Sequence, residues 1–167
     1  MSTKLQLTGN IGFLGAGNMA EAIIRGLLRG GDLEAQRIGA SAPREERRSE
    51  LSSKYGLWTT GDNLALVERS DVLVLSVKPQ LFKKVLEQVG GKVKKETLVI
   101  SVAAGVPISA MEAKLPEGTR VIRTMPNTPA VVDAGATAIS RGTHATDADM
   151  ALAKQIFDAV GITVVLD

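Results

Sequence analysis

The chain contains no cysteine, which excludes a disulfide framework, a thiolate metal site and a cysteine nucleophile. It has one histidine, and its carboxylates are scattered along the sequence. The sequence therefore predicts no cluster of metal ligands. Aromatic residues make up 3% of the chain, and 20 Lys and Arg residues face 18 Asp and Glu residues. Neither base stacking nor a large positive field therefore favours nucleic acid. Residues 1–10 show no secretory signal and no apolar run is long enough to span a membrane, so we expect a cytoplasmic protein.

The apolar residues that are present suffice for one globular domain, since the chain has 167 residues of which 44% are hydrophobic. Short apolar segments alternate with helical patterns. This alternation predicts an α/β fold, a Rossmann-type doubly wound and mainly parallel sheet with helices on both faces. Strands are predicted just before Gly15 and at residues 37–41, 57–59, 72–77, 97–102, 120–124, 134–140 and 162–166, and helices at 21–28, 43–54, 64–69, from Pro79 onward, and at 107–114 and 147–160.

The turn after the first strand has the pattern Gly15-x-Gly17-x-x-Ala20. Gly15 permits a tight turn, Gly17 allows close approach of a pyrophosphate, and Ala20 is small enough for the helix to pack on its strand. The N-terminus of the helix supplies free N–H groups and the positive end of its dipole. A glycine-rich turn can also serve packing alone, but the strand before it and the helix after it favour a dinucleotide site.

The second strand ends in Ser41-Ala42-Pro43-Arg44, where an NAD site normally has a carboxylate. A hydroxyl and a guanidinium suit the 2′-phosphate of NADP. We therefore expect NADP(H) to be preferred, with NAD(H) possible. Ser41, at the end of the strand, and Arg44, at the start of the next helix, are expected to make the contact. Glu34 precedes the strand and should lie at the opposite edge of the sheet. Arg47 and Arg48 are interpreted as the solvated face of the helix.

Ligands of open parallel sheets bind beyond the carboxyl ends of the strands, which selects three further segments. Residues 76–79 can cover ribose and pyrophosphate, although Lys78 is as easily an ordinary solvated lysine. The small residues at 102–105 leave room for a nicotinamide ring, or for close helix packing. The third segment, 124–129, is stiffened by two prolines around Asn127, whose amide can bind a carboxamide or carboxylate. A rigid turn without a ligand is the alternative there.

Five segments together closely resemble the amino-terminal half of pyrroline-5-carboxylate reductase: residues 13–20, 40–43, 77–80, 101–105 and 123–129. That family reduces the cyclic imine 1-pyrroline-5-carboxylate to L-proline with NADPH or NADH. The resemblance implies a cofactor site made of Leu14, Gly15, Ala16, Gly17, Asn18, Met19, Ala42, Asn63, Ser76, Val77, Lys78, Pro79, Val102, Ala103 and Ala104, to which the local patterns add Ser41, Arg44, Met125 and Asn127. Without the resemblance, Asp62-Asn63 would be interpreted only as a helix cap.

Family members continue into a helical domain that builds the dimer and most of the imine pocket, so residues 1–167 are expected to be the NADP(H)-binding Rossmann domain of a homo-oligomeric enzyme. Ala42 departs from relatives that have a second serine there. The implied chemistry is hydride transfer from C4 of the nicotinamide, and no residue here is a convincing general acid. His144 is interpreted as a surface or capping residue.

Two other hypotheses remain open from the sequence. The first is a regulatory module that binds NADP(H) without catalysis. The second is a related reductase that acts on a hydroxy acid or another imine.

Overall fold

The central strands consist of consecutive buried apolar residues, the pattern of strands that helices cover on both faces. A computed structural model describes residues 5, 7–102, 105–126 and 135–166. The strands are β1 (Ile11–Leu14), β2 (Ile38–Ser41), β3 (Trp58–Thr60), β4 (Val72–Leu75), β5 (Leu98–Ser101), β6 (Arg120–Pro126), β7 (Gly135–Arg141) and β8 (Gly161–Val165).

Six α-helices connect these strands: α1 (Asn18–Arg29), α2 (Glu45–Tyr55), α3 (Asn63–Arg69), α4 (Pro79–Val89), α5 (Ile108–Glu112) and α6 (Asp147–Asp158). Two single 3-10 turns, Ala35–Arg37 and Gly90–Lys92, precede β2 and follow α4. The predicted start of α4 at Pro79 is confirmed, with proline in the first turn. Asp62 caps α3 as expected, because its side chain accepts a hydrogen bond from the backbone N–H of Leu64.

The strands form one sheet in the order β3-β2-β1-β4-β5-β6-β7-β8. Strands β1 to β6 are parallel, β7 is antiparallel to β6, and β8 is parallel to β7. The predicted doubly wound, mainly parallel sheet is therefore confirmed, including the extension of the sheet by the last two strands. In register, Leu14 lies beside Ser41 on one side and beside Leu75 on the other. The carboxyl ends of β2, β1 and β4 thus meet at one edge.

Two apolar clusters cover the two faces of the sheet. One joins side chains of α1, α2 and α6, among them Ile23, Leu51 and Phe157, to one face. The other joins α3, α4 and α5, including Leu66 and Phe82, to the opposite face. Because burial on both faces fixes the strands, the loops at the carboxyl edge are held by a rigid scaffold.

At the amino ends of the strands, α6 is held by a buried carboxylate. Asp149 is 5% exposed and its Oδ1 lies 2.5 Å from Nη1 of Arg120. The other carboxylate oxygen of Asp149 accepts the backbone N–H of Thr146, whose hydroxyl in turn accepts the N–H of Asp149. This reciprocal cap satisfies the first turn of α6 and ties the helix to β6.

The segment after the sixth strand differs from the prediction. Residues 124–129 were expected to form a loop, but β6 continues to Pro126, and Met125 and Pro126 pair with Ala138 and Thr137 of β7. The antiparallel neighbour provides backbone partners that the sequence of β6 alone could not reveal. The fourth strand is shorter than predicted, since β4 ends at Leu75.

Across the described part of the chain, no helix has both the length and the apolar composition needed to cross a bilayer.

Candidate dinucleotide site

The turn after β1 lies against the backbone that follows β4. Gly15 has φ +103°, and a Cβ at this position would lie 2.8 Å from the carbonyl group of Ser76 and from the backbone nitrogen of Val77. The Ser76 hydroxyl donates to the Gly15 carbonyl oxygen at 2.7 Å, and the Gly15 N–H donates to the Ser41 carbonyl oxygen at 3.2 Å. Glycine is thus required at position 15 by both conformation and space, and the turn is fixed between the ends of β2 and β4.

Gly17, unlike Gly15, is not crowded by other protein atoms. A Cβ built on Gly17 would meet nothing within 4 Å, and the residue is exposed at the N-cap of α1, where no side chain supplies a cap. The first-turn N–H groups of α1 are therefore left to solvent or to a ligand. Ala20 is 1% exposed, so the helix packs closely on the sheet. This geometry can bind an anion at the start of α1.

The end of β2 contains two of the predicted phosphate contacts, and they differ in accessibility. The Ser41 hydroxyl is buried and has no hydrogen-bond partner among the described residues, so it is not available to a ligand in this structure. Arg44 is exposed, and its guanidinium makes no hydrogen bond or ion pair with another described residue, although its carbonyl oxygen accepts the N–H of Arg48. It lies at the N-cap of α2 and not inside the helix as expected. Ala42 donates its N–H to the Thr60 carbonyl oxygen.

The interpretation of Arg47 and Arg48 as a solvated helix face is wrong. Nε of Arg47 donates to the Ala16 carbonyl oxygen at 2.7 Å, and its side chain is 18% exposed. Nη1 of Arg48 donates to the carbonyl oxygens of Ala42 and Pro43 at 2.8 and 3.0 Å. Both guanidinium groups face inward. Arg47 donates to a carbonyl of the turn after β1, and Arg48 donates to two carbonyls of the turn after β2.

Glu21, in the first turn of α1, is the centre of a charged network with α2. Its side chain is 12% exposed and its Oε1 lies 2.8 Å from Arg47. Its Oε2 accepts hydrogen bonds from the Tyr55 hydroxyl at 2.6 Å and from Lys54 Nζ at 3.1 Å. The hydrogen bond from Tyr55, with smaller contributions from Lys54 and Arg47 that outweigh burial, lowers the pKa of Glu21 from 4.5 to about 2. In the folded protein the Glu21 carboxylate is therefore ionised at neutral pH.

The other predicted contacts lie around the same edge. Lys78 is exposed at the N-cap of α4, and Val102 donates its N–H to the Leu75 carbonyl oxygen. The amide nitrogen of Asn63 donates to the side-chain oxygen of Gln88 at 3.1 Å, so part of its hydrogen-bonding capacity is already used by the protein. Leu14 is buried at the end of β1, whereas Asn18 is exposed at the start of α1. Met125, 37% exposed, lies on β6.

Three predicted residues, Ala103, Ala104 and Asn127, lie outside the described residues. His144 is exposed in the turn after β7, as expected for a surface residue, but Thr146 and not His144 caps α6. This turn lies at the amino ends of the parallel strands, because the N–H of Gly142 donates to the Val121 carbonyl oxygen. The only histidine is thus away from the glycine turn. In the described ranges, no group of three or more His, Asp or Glu residues could hold a metal ion.

We expect Glu21→Gln to lower the free energy of unfolding by about 2 to 3 kcal/mol at pH 7 and by less than about half of that at pH 3. The folded-state pKa of about 2 is below the ordinary 4.5, so the stabilisation is complete above pH 4.5 and is lost as the pH falls toward 2. Urea denaturation of both proteins at the two pH values measures this. Glu50→Gln is the control, because its carboxylate is 56% exposed and has one partner, Arg47. A loss of equal size at both pH values would contradict the assignment.

Comparison with known proteins agrees with this geometry. Residues 10–105, from the start of β1 to the connection after β5, match the family described as NADP oxidoreductase, coenzyme F420-dependent. A pyrroline-5-carboxylate reductase of Methanosarcina acetivorans is 44% identical over 154 residues, covering 92% of this chain and 57% of that protein. The solved pyrroline-5-carboxylate reductase of Coxiella burnetii superposes with a TM-score of 0.91 at 36% identity, covering 96% of this chain and 60% of the other.

A third structure, the pyrroline carboxylate reductase of Plasmodium falciparum with NADP bound, has a TM-score of 0.83. At 22% identity over 96% of this chain and 58% of that one, it supports the fold alone. The chain thus spans 57 to 60% of the length of these three proteins. It belongs to the family described as NADP oxidoreductase, coenzyme F420-dependent, and the resemblance that its sequence shows to the amino-terminal part of pyrroline-5-carboxylate reductases is confirmed.

Proposed function

We propose that the chain is the NADP(H)-binding part of a pyrroline-5-carboxylate reductase, which reduces 1-pyrroline-5-carboxylate to L-proline. The observation that carries this proposal is the turn of Gly15 and Gly17, where one glycine is fixed against β4 and the other is open to a ligand at the start of α1. The names of the relatives that are 36 to 44% identical support the imine as substrate.

When bound, NADPH supplies the hydride at C4 of its nicotinamide ring. The task of this chain is to bind and orient the cofactor. The N–H groups at the start of α1 would receive the diphosphate, and Ser76 keeps the turn in place through its hydrogen bond to Gly15. Residues 76–79 would contact the ribose, and residues 102–104 would contact the nicotinamide. Met125 and Asn127 are proposed to bind the nicotinamide carboxamide or the substrate carboxylate, and Asn63 the adenosine.

Arg44 is proposed as the contact to the 2′-phosphate of NADP. It is exposed at the N-cap of α2, next to the end of β2, and its guanidinium has no partner among the described residues. The buried hydroxyl of Ser41 cannot share this task in the structure as described, so discrimination between NADPH and NADH rests on one guanidinium. A single exposed contact suits a preference for NADP(H) that still permits NAD(H).

The complete enzyme is proposed to be a cytoplasmic homo-oligomer with a further helical domain that supplies the imine pocket. The exposed apolar residues of β8 support a contact between this strand and another part of the complete enzyme. Ile162 is 70% exposed and Val164 is 49% exposed.

Gly17→Val is expected to lower the affinity for NADPH and for NADH at least tenfold while changing the free energy of unfolding by no more than about 1 kcal/mol. The added side chain enters space that no protein atom occupies, so it obstructs a ligand and not the fold. Titration of nicotinamide fluorescence measures affinity. Gly91→Val is the matched control, because a Cβ at Gly91 also meets nothing within 4 Å. Unchanged affinity in a folded Gly17→Val protein would refute the proposed site.

Arg44→Glu is expected to weaken NADPH binding about tenfold and to leave NADH binding nearly unchanged, because only NADPH carries the 2′-phosphate. The same titration measures both cofactors. Lys95→Glu makes the same change of charge at an exposed residue before β5, at the other edge of the sheet, and controls for net charge. Equal losses for the two cofactors would remove Arg44 from the discrimination.

The reductase activity is tested in a chimera in which this chain replaces the matching part of the Methanosarcina acetivorans enzyme. We expect oxidation of NADPH that requires 1-pyrroline-5-carboxylate and is abolished by Gly17→Val. A folded chimera that binds NADPH but reduces no imine would favour the regulatory module. Turnover of a hydroxy acid or another imine instead would favour a related reductase.

A further inference from the structure

The guanidinium of Arg47, on α2, contacts the glycine turn directly. Its Nε donates to the Ala16 carbonyl oxygen at 2.7 Å, and its Nη2 approaches the Gly17 carbonyl oxygen at 3.4 Å. The Gly17 carbonyl also accepts the first helical hydrogen bond, from the N–H of Glu21 at 3.0 Å. Two consecutive carbonyls of the turn are therefore directed toward Arg47 and into the protein.

The direction of these carbonyls determines the direction of two N–H groups. In a trans peptide the C=O and N–H bonds point in opposite directions, and no peptide bond in the described chain is cis. The Ala16 carbonyl shares its peptide plane with the N–H of Gly17, and the Gly17 carbonyl with the N–H of Asn18. Because Arg47 holds the carbonyls on its own side, both N–H groups point away from it.

The charge of Arg47 is already balanced by the protein. Nη2 lies 2.8 Å from Glu21, and Nη1 lies 2.8 Å from Glu50. Its side chain is 18% exposed, whereas the Arg44 side chain is exposed and has no partner in the described part of the chain. Arg47 is thus held in a fixed geometry, and its positive charge is largely neutralised by two carboxylates. A residue that binds a phosphate by charge would instead have an unpaired positive charge.

We propose that Arg47 is a positioning residue for the diphosphate, which it does not contact. It fixes two peptide planes of the turn so that the N–H groups of Gly17 and Asn18 face the ligand before binding. The inference rests on the proposed cofactor site and assigns a role to a residue outside it. Preorganised donors bind an anion more tightly than donors that must first be ordered. The effect of Arg47 is therefore common to every ligand that has the diphosphate, with or without the 2′-phosphate.

The test compares Arg47→Leu, Arg47→Lys and the unchanged protein in binding to NADPH, NADH and ADP-ribose. We expect Arg47→Leu to weaken all three by the same factor, about tenfold, so that the ratio of NADPH to NADH affinity stays constant. Arg47→Lys keeps the charge but cannot bond two carbonyls and two carboxylates at once, and it should recover only part of the affinity. In ¹⁵N relaxation, the order parameters of residues 16–18 should fall in Arg47→Leu.

Arg69→Leu is the matched control for the general cost of losing an arginine. Arg69 also donates to a backbone carbonyl, that of Gln36 at 2.8 Å, and packs on Trp58. It should reduce the free energy of unfolding without changing affinity for any of the three ligands.

Three results would overturn the proposal. Selective loss of NADPH would make Arg47 a contact to the 2′-phosphate, and loss of stability with unchanged affinity would make it purely structural. Full recovery in Arg47→Lys would show that charge alone suffices. If the unchanged protein bound none of the three ligands, the proposed function itself would fail, and this inference with it.

Discussion

The approach of the backbone at Gly15 to the backbone after Leu75 is the constraint on which the site depends. It requires a positive φ and leaves no space for a Cβ. The sheet order, with β1 between β2 and β4, makes the approach possible. With the turn fixed at this point, α1 starts close to the carboxyl ends of three strands, and its free N–H groups have one defined direction. A side chain at position 15 would separate these elements before any ligand could be bound.

A second layer of interactions connects the turn to α2. Glu21 and Arg47 join the first turn of α1 to a helix that follows a different strand, and Tyr55 and Lys54 complete the network from the end of α2. Because Glu21 and Arg47 are mostly buried and neutralise each other, they contribute to stability and to the order of the turn at the same time. The same contacts that hold two helices together therefore also determine the direction of backbone donors at the edge of the sheet.

Features that depend on neighbouring residues in sequence were predictable. The glycine turn, the cap at Asp62, the start of α4 at Pro79 and the mainly parallel sheet all follow from short patterns. Features that depend on distant partners were not. The inward direction of Arg47 requires Ala16 and Glu21, the burial of Ser41 depends on the layers that cover β2, and the extension of β6 depends on pairing with β7. A charged run such as residues 44–50 gives the same pattern whether its arginines face solvent or a turn 30 residues away.

The reversal of direction between β6 and β7 has a consequence for the chemistry of the edge at which the cofactor is proposed to bind. It carries the turn that contains His144 to the amino ends of the parallel strands, beside Val121. The chain has no other imidazole and no thiol, and Glu21 is ionised far below neutrality. The carboxylate of Glu21, in the first turn after the glycines, therefore keeps its charge between pH 5 and pH 8. Over that interval the charge that Glu21 contributes beside the glycine turn is constant, while the imidazole of His144 lies at the opposite ends of the parallel strands.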